Sequence, residues 1–193
     1  MALAHAILAV LIGNPCSGYD LRKSFESSVG FFWRATFQQV YRELAKLEEQ
    51  GLLSAETIHQ YQRPDKRIYC VTPTGQQYLE DWIAQTAPVS PIKDDLLVKL
   101  FVGHLVPRAV ILGELEQHRQ AHLEQLATYE FIAQKYFLEF DQLSPPRKFQ
   151  YLTLRNGIYY EQAWLAWCSE TISFLNGCCT SEGLTQNFLR PSP

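Results

Sequence analysis

A mainly α-helical protein with one small β-hairpin is what this sequence predicts: a compact unit of short helices and strands, then a domain of long helices. Three observations carry that expectation. Residues 1 to about 85 meet a Gly or Pro every dozen or so positions, which keeps each element short. Residues 93 to about 180 instead place apolar side chains at helical spacing over long stretches. Between them Thr86-Ala87-Pro88-Val89-Ser90-Pro91 forms a Pro-rich connector that helices do not cross easily.

The first element is the apolar run at residues 2–13, closed by Gly13-Asn14-Pro15. No Lys or Arg precedes it, and the first basic residue is Arg22, so it reads as a buried helix and not as a targeting segment. Ser17 caps a second helix over about 17–28, ended by Gly30. Thr36 opens the clearest helix of the chain. Thr36 and Gln39 have capping-box spacing, Val40, Leu44 and Leu47 follow at helical intervals, and Gly51 stands just past the end. Leu52 to Gln62 reads as a strand, Arg63-Pro64-Asp65-Lys66 as a turn, and Arg67 to Val71 as the returning strand. Thr72-Pro73-Thr74-Gly75 then opens a helix running through Trp82 and Ile83. Three helices followed by a hairpin are the winged helix-turn-helix arrangement, with the third helix for recognition and the hairpin as the wing.

Composition bounds the function. The 193 residues are 47% hydrophobic and 19% charged, enough apolar side chain for a core and too little charge for a disordered chain. No run of about eighteen apolar residues offers a membrane span. The formal net charge of -3 excludes a histone-like basic protein but not a local basic face. Five cysteines, with Cys178 and Cys179 adjacent, are an odd number that does not make a disulfide framework and fits a reducing cytoplasm. No nucleophile elbow, P-loop, metal quartet or paired-carboxylate spacing occurs, so an enzyme is not expected, nor a cofactor or metal.

At about 100° per residue, Gln38, Arg42 and Lys46 project from the third helix opposite Val40, Leu44 and Leu47, with Gln39 and Tyr41 on the shoulders. Arg and Gln are residue types that read guanine and adenine edges in the major groove. Arg63, Lys66 and Arg67 at the hairpin turn suit phosphate or minor-groove contact. Ser17, Tyr19, Lys23, Arg34 and Thr36 complete the expected contact set. Between Arg22 and Arg67 stand eight basic and six acidic residues, a weakly basic surface that needs a dimer to multiply its phosphate contacts. The acids Glu43, Glu48 and Glu49 keep open an alternative: a winged-helix module that contacts protein and not DNA.

Three segments in order resemble the PadR family of bacterial transcriptional regulators. They are Ser17-Gly18-Tyr19-Asp20-Leu21; Thr36 to Leu44 with Leu47-Glu48 and Gly51-Leu52-Leu53; and Arg67 to Gly75 with Leu79 and Trp82. Lys93 to Phe101 is similar to the opening of the C-terminal helical domain in long-form members. The resemblance implies a DNA-binding regulator, expected to be a repressor, whose C-terminal domain dimerises. The expected partners are a near-palindromic double-stranded operator, a second copy of the chain and an optional small-molecule effector; no residue identifies a phenolic-acid pocket, so that effector class is not carried over. The implied layout is a winged helix-turn-helix at 1–85, a linker at 86–92, a helical dimerisation and candidate effector domain at 93–180, and a tail at 181–193.

Residues 107–140 read as one long helix with Ile111, Leu115, Leu126, Tyr129, Ala133, Tyr136 and Phe140 on its apolar face. The last helix, about 146–177, carries Leu154, Ile158, Leu165, Cys168, Ile172 and Leu175 in steps of 4, 7, 3, 4 and 3, a coiled-coil seam with Glu161 at the skipped position. This seam is the expected dimer interface. A neighbouring stripe of Tyr160, Trp164 and Trp167 is the candidate effector pocket, though a plain core role for the tryptophans is favoured. His118 and His122 have metal-compatible spacing with no third ligand anchored by sequence, and Cys178-Cys179 has thiol-sensor chemistry; neither is assigned a sensing role.

Overall fold

The computed structural model describes residues 2–26, 35–59, 65–89 and 91–177. The chain divides into two compact units, one ending at Ser90 and the next beginning at Pro91. In the first unit α1 (Ala2–Leu11) leads to β1 (Cys16–Ser17), α2 (Gly18–Glu26) and α3 (Phe37–Glu49). The strands β2 (Leu53–Ile58) and β3 (Lys66–Val71) follow, then α4 (Pro73–Ile83).

Each element has a local cause. In α1, Ala4, Ile7, Leu8 and Leu11 recur at one-face spacing and all are buried. Gly13, at φ +70°, turns the chain away from it, a conformation that favours glycine. Ser17 Oγ accepts the Asp20 N–H at 3.2 Å and so caps α2. The α3 capping box forms on both sides. Gln39 N–H donates to Thr36 Oγ1 at 3.3 Å, and Thr36 N–H donates to Gln39 Oε1 at 2.8 Å. At the other end Leu52 N–H reaches Leu47 C=O and Gly51 N–H reaches Glu48 C=O, both at 2.9 Å, which is a Schellman closure with Gly51 at φ +71°.

The sheet has three strands in the order β1-β3-β2, all antiparallel. In register Leu53 faces Val71 and Ile58 faces Lys66. The sequence pattern predicts the hairpin but not β1, because two residues carry no readable period. Cys16 and Ser17 nevertheless pair with Tyr69 and Ile68 and tie the hairpin to the start of α2. Thr72 links both sides of the next turn. Its hydroxyl donates to Gly51 C=O at 2.7 Å and accepts the Gly75 N–H at 3.0 Å. The core gathers α1, Leu21, the apolar face of α3, Leu52, Leu53, Tyr69 and Leu79.

The second unit holds α5 (Asp95–Phe101), α6 (Arg108–Tyr136) and α7 (Pro145–Gly177), with single 3-10 turns at Gly103–Leu105 and Phe140–Gln142. Asp94 caps α5 by accepting Leu96 N–H at 2.8 Å. α6 and α7 run antiparallel, since Arg108 meets Leu175, His122 meets Glu161, and Arg147 meets Tyr136. Tyr129 lies against Gly157, where an added Cβ would stand 3.0 Å from its ring.

One expectation for this unit is corrected. The helix expected over 107–140 ends at Tyr136. Phe137 leaves helical geometry and buries its ring 5.4 Å from Tyr151 and under the Arg147 guanidinium, while Phe140 belongs to a separate turn. Of the α7 seam expected between subunits, Leu154, Leu165, Ile172 and Leu175 are half-buried within the single chain. Ile158 and Cys168 are buried, and Ile172 and Leu175 pack with Trp164 and Trp167 on Leu96, Ile111 and Leu115. The physical reason is proximity: α6 is joined to α7 by a short connection and takes the most apolar stripe first.

Candidate nucleic-acid interface

The outer surface of α3 follows from its buried one. With Val40, Leu44 and Leu47 in the core, Gln38, Gln39, Tyr41, Arg42 and Lys46 are exposed. Thr36 stands exposed at its N-terminal end. Among the described residues Arg42 makes no ion pair or hydrogen bond, so its five N–H groups face solvent. Gln39 commits its carbonyl oxygen to the cap, leaving its amide NH2 free to donate. Tyr41 packs on Phe37 with ring centroids 4.4 Å apart, and Arg22 lies over the Phe37 ring at 5.6 Å. Gly18 lets the Tyr41 side chain lie against the start of α2, since a Cβ there would fall 2.8 Å from the Tyr41 hydroxyl.

Tyr19 projects from α2 with 67% of its surface exposed. Ser17, expected among the surface contacts, is only 7% exposed. Its hydroxyl donates to Asp20 Oδ2 at 2.8 Å, so its task is to close the α2 terminus. Lys23 lies on α2. Arg34 and Arg63 fall outside the described residues.

The remaining cations meet acids. Lys46 lies 3.7 Å from Glu43 Oε1, Lys66 lies 2.8 Å from Asp20 Oδ2, and Arg67 donates to Glu48. The Lys66 ammonium, and after it the Ser17 hydroxyl, hold the Asp20 carboxyl below the ordinary carboxylate range. At the ends of the hairpin arms His59 Nδ1 and Asp65 Oδ2 are 2.9 Å apart. Burial raises the Cys16 thiol and the Tyr69 hydroxyl, which makes both poor candidates for chemistry at neutral pH. The Asp20 and Glu48 pairings are absent from the sequence reading because no periodicity links residues 19 or 46 positions apart.

In the second unit Trp164 stacks on His122 with centroids 4.8 Å apart and meets Trp167 edge-on at 5.1 Å. His122 Nδ1 lies 2.5 Å from Glu161 Oε2, and Glu161 is 5% exposed. Trp164 and Trp167 are half-buried and pack against the Leu96, Ile111 and Leu115 cluster, while Tyr160 is exposed. Among the described residues no group of three His, Cys, Asp or Glu side chains is arranged to hold a metal. His118 and His122 have ring centroids 6.3 Å apart. Cys178 and Cys179 lie outside the described residues.

The chain is similar to known transcriptional regulators. Residues 7–81 match the family model of PadR-like transcriptional regulators, and residues 92–176 match the C-terminal domain of virulence activator alpha. A probable transcriptional regulator of Mycobacterium tuberculosis is 34% identical over 187 residues, covering 91% of this chain and 98% of the relative. The negative transcriptional regulator PadR of Bacillus subtilis is 29% identical over 179 residues, covering 90% of this chain and 97% of PadR. Its structure with operator DNA aligns at TM-score 0.80 with 26% identity, over 91% of this chain and 99% of that one. Its structure with p-coumaric acid aligns at TM-score 0.75 with 25% identity and the same coverage. The virulence activator AphA of Vibrio cholerae aligns at TM-score 0.75 with 31% identity, again over 91% of this chain and 99% of that one. A capped and exposed third helix, a hairpin rooted beside it and a long antiparallel helix pair are thus the parts of a shared plan, and the chain belongs to the PadR-like family of transcriptional regulators.

Proposed function

We propose that this protein binds double-stranded DNA at a near-palindromic operator and regulates transcription from it. The observation that carries this reading is α3: a doubly capped helix that buries Val40, Leu44 and Leu47 and presents Gln38 and Arg42 outward. Arg42 pairs with a guanine edge and Gln38 with an adenine edge in the major groove. Tyr19, Lys23, Thr36, Gln39, Tyr41 and Lys46 make flanking contacts, and Lys66 and Arg67 meet phosphates, with Arg34 and Arg63 adding charge. PadR solved on its operator supports the DNA partner.

The active form is a homodimer that holds two recognition helices about 34 Å apart, one helical turn of DNA. Its interface lies on the outer side of α7, where Phe149, Leu152, Tyr159, Tyr160 and Phe174 are all exposed. At helical spacing these five fall within an arc of about 100°, opposite the stripe buried against α6. Apolar exposure of this extent on a regulator's surface, interrupted by Asn156 and Glu170, is what a second copy covers. The layout expected from sequence is retained as residues 1–85 for DNA, 86–92 as linker and 93–180 for dimerisation and effector response.

Regulation is negative in this reading, as PadR is named a negative regulator, because a dimer seated on a promoter excludes polymerase. The PadR complex with p-coumaric acid supports a small-molecule input, for which Tyr160, Trp164 and Trp167 are the candidate aromatic groups. The protein acts in the cytoplasm, and no helix of the described residues is long and apolar enough to cross a membrane.

Selection of bound duplexes from a random-sequence pool, followed by footprinting upstream of the chain's own gene, tests the reading. A two-fold-related motif with half-sites one turn apart supports it. Binding with a flat log–log salt dependence would instead favour the protein-contact module.

A further inference from the structure

Lys66 and Arg67 begin β3, and each is gripped by an acid from the helix-turn-helix. Asp20 on α2 takes Lys66, and Glu48 on α3 takes Arg67. Successive residues of a strand project to opposite faces, so the strand is held from both sides at its root. Neither acid is loose. Asp20 accepts the Ser17 hydroxyl at 2.8 Å, and Ser17 in turn caps the Asp20 N–H. Glu48 sits on the last turn of α3, which the Gly51 closure fixes. Arg67 also lies over the Tyr69 ring at 5.7 Å, which limits the tilt of its guanidinium plane. Asp20, Tyr41, Lys66, Arg67 and Tyr69 line one open hollow of about 430 Å³, and Glu48 lies outside its lining.

A stabilising role accounts poorly for these pairs. The Lys66 and Arg67 side chains are 40% and 53% exposed, and ion pairs so exposed contribute little to folding. On a surface that meets phosphates, a carboxylate also repels the ligand. Two acids therefore work against DNA binding unless they supply something else. What they supply is direction. An ammonium has three N–H donors and a guanidinium five, so each cation keeps donors for a phosphate after its acid is satisfied.

We propose that Asp20 and Glu48 are positioning residues for operator recognition: they aim the remaining N–H groups of Lys66 and Arg67 at the backbone phosphates that flank the site read by α3. The inference rests on the DNA-binding reading above. Its consequence is a division of effects. Binding in register uses the aimed donors, whereas non-specific association samples many poses and responds to charge alone. The acids lower affinity for arbitrary DNA and raise discrimination in favour of the operator.

The test uses the full chain with Asp20→Asn, Glu48→Gln and both together, titrated against the selected operator duplex and an unrelated duplex of equal length. Each variant should bind the unrelated duplex about two- to fivefold more tightly and the operator more weakly, so that the double variant loses about tenfold in the affinity ratio. Glu48→Asp keeps the charge but withdraws the carboxylate by one methylene. It should lower operator affinity without raising non-specific affinity. In an Arg67→Ala background, Glu48→Gln should no longer change the ratio. Thermal melting of every variant separates these effects from loss of fold, and the charge-conserving Glu48→Asp keeps the question answerable if a neutral variant melts early. An equal gain on both duplexes, or no change on either, overturns the proposal. A wild-type chain that enriches no sequence at all would defeat the DNA-binding reading, and the proposal with it.

Discussion

At the scale of single residues, Arg42 and Gly75 show how differently exposed and crowded positions respond. Arg42 has no protein partner among the described residues, so removing it leaves nothing buried and unsatisfied. Arg42→Ala should keep wild-type stability and weaken operator binding by about 1–3 kcal/mol, with relaxed preference at one base pair. Equal losses on specific and arbitrary DNA would show Arg42 to be a phosphate contact. Gly75 is the opposite case. A Cβ there would stand 2.1 Å from the Leu52 carbonyl oxygen, a backbone atom that cannot swing aside. Gly75→Ala should therefore destabilise the first unit by about 3 kcal/mol in urea unfolding. Gly113, on α6 with nothing within 4 Å, is the control. Its replacement by Ala should stabilise by about 0.5–1 kcal/mol, because only the helix propensity changes.

At the scale of elements, the hairpin and the helix pair depend on charge in contrasting ways. The exposed β3 cations are proposed to meet phosphates, so their effect is read in salt. Lys66→Ala with Arg67→Ala should flatten the log–log salt slope of DNA binding by roughly 0.9 per lost phosphate contact, and Arg63→Ala should add to it. An unchanged slope would mean that the hairpin faces away from DNA. The α6–α7 pair instead buries a hydrogen-bonded polar pair. Glu161 is 5% exposed, and its partner His122 is covered by Trp164. His122→Ala leaves that carboxylate without its partner and should destabilise the second unit by about 3 kcal/mol. Replacing both residues with Leu should recover most of the loss, because no unpaired polar group then remains in the interior. Calorimetry on the single and double variants distinguishes the two outcomes.

At the scale of the whole molecule, the issue is which apolar surface a second chain covers. Ile158 and Cys168 already lie inside one chain, so charging them would unfold the helix pair without testing assembly. Tyr159 and Phe174 are exposed on the outer side of α7. Tyr159→Glu with Phe174→Glu should give folded monomers by sedimentation and lower operator affinity by about 10²–10⁴-fold, because the second half-site contact is no longer intramolecular. Dimers that persist at wild-type affinity would place the interface elsewhere.

The sequence by itself determined the plan of the first unit. Short-range rules sufficed there: the Thr36–Gln39 box, the Val40–Leu44–Leu47 spacing and Gly51 each act within one or two turns, and so mark α3 without tertiary help. The same locality made the hairpin and the two long C-terminal helices legible, and the ordered family segments joined them into one fold. Tertiary structure alone decided pairings between distant positions. Two-residue β1 becomes a strand only because β3 supplies its partner. Asp20 and Glu48 take the hairpin cations, and Ser17 turns inward, through contacts that no period encodes. On α7 two apolar stripes are nearly equivalent in sequence, and packing assigned one to the interior. The short connection to α6 makes that choice, since it places one partner beside α7 before any second chain arrives.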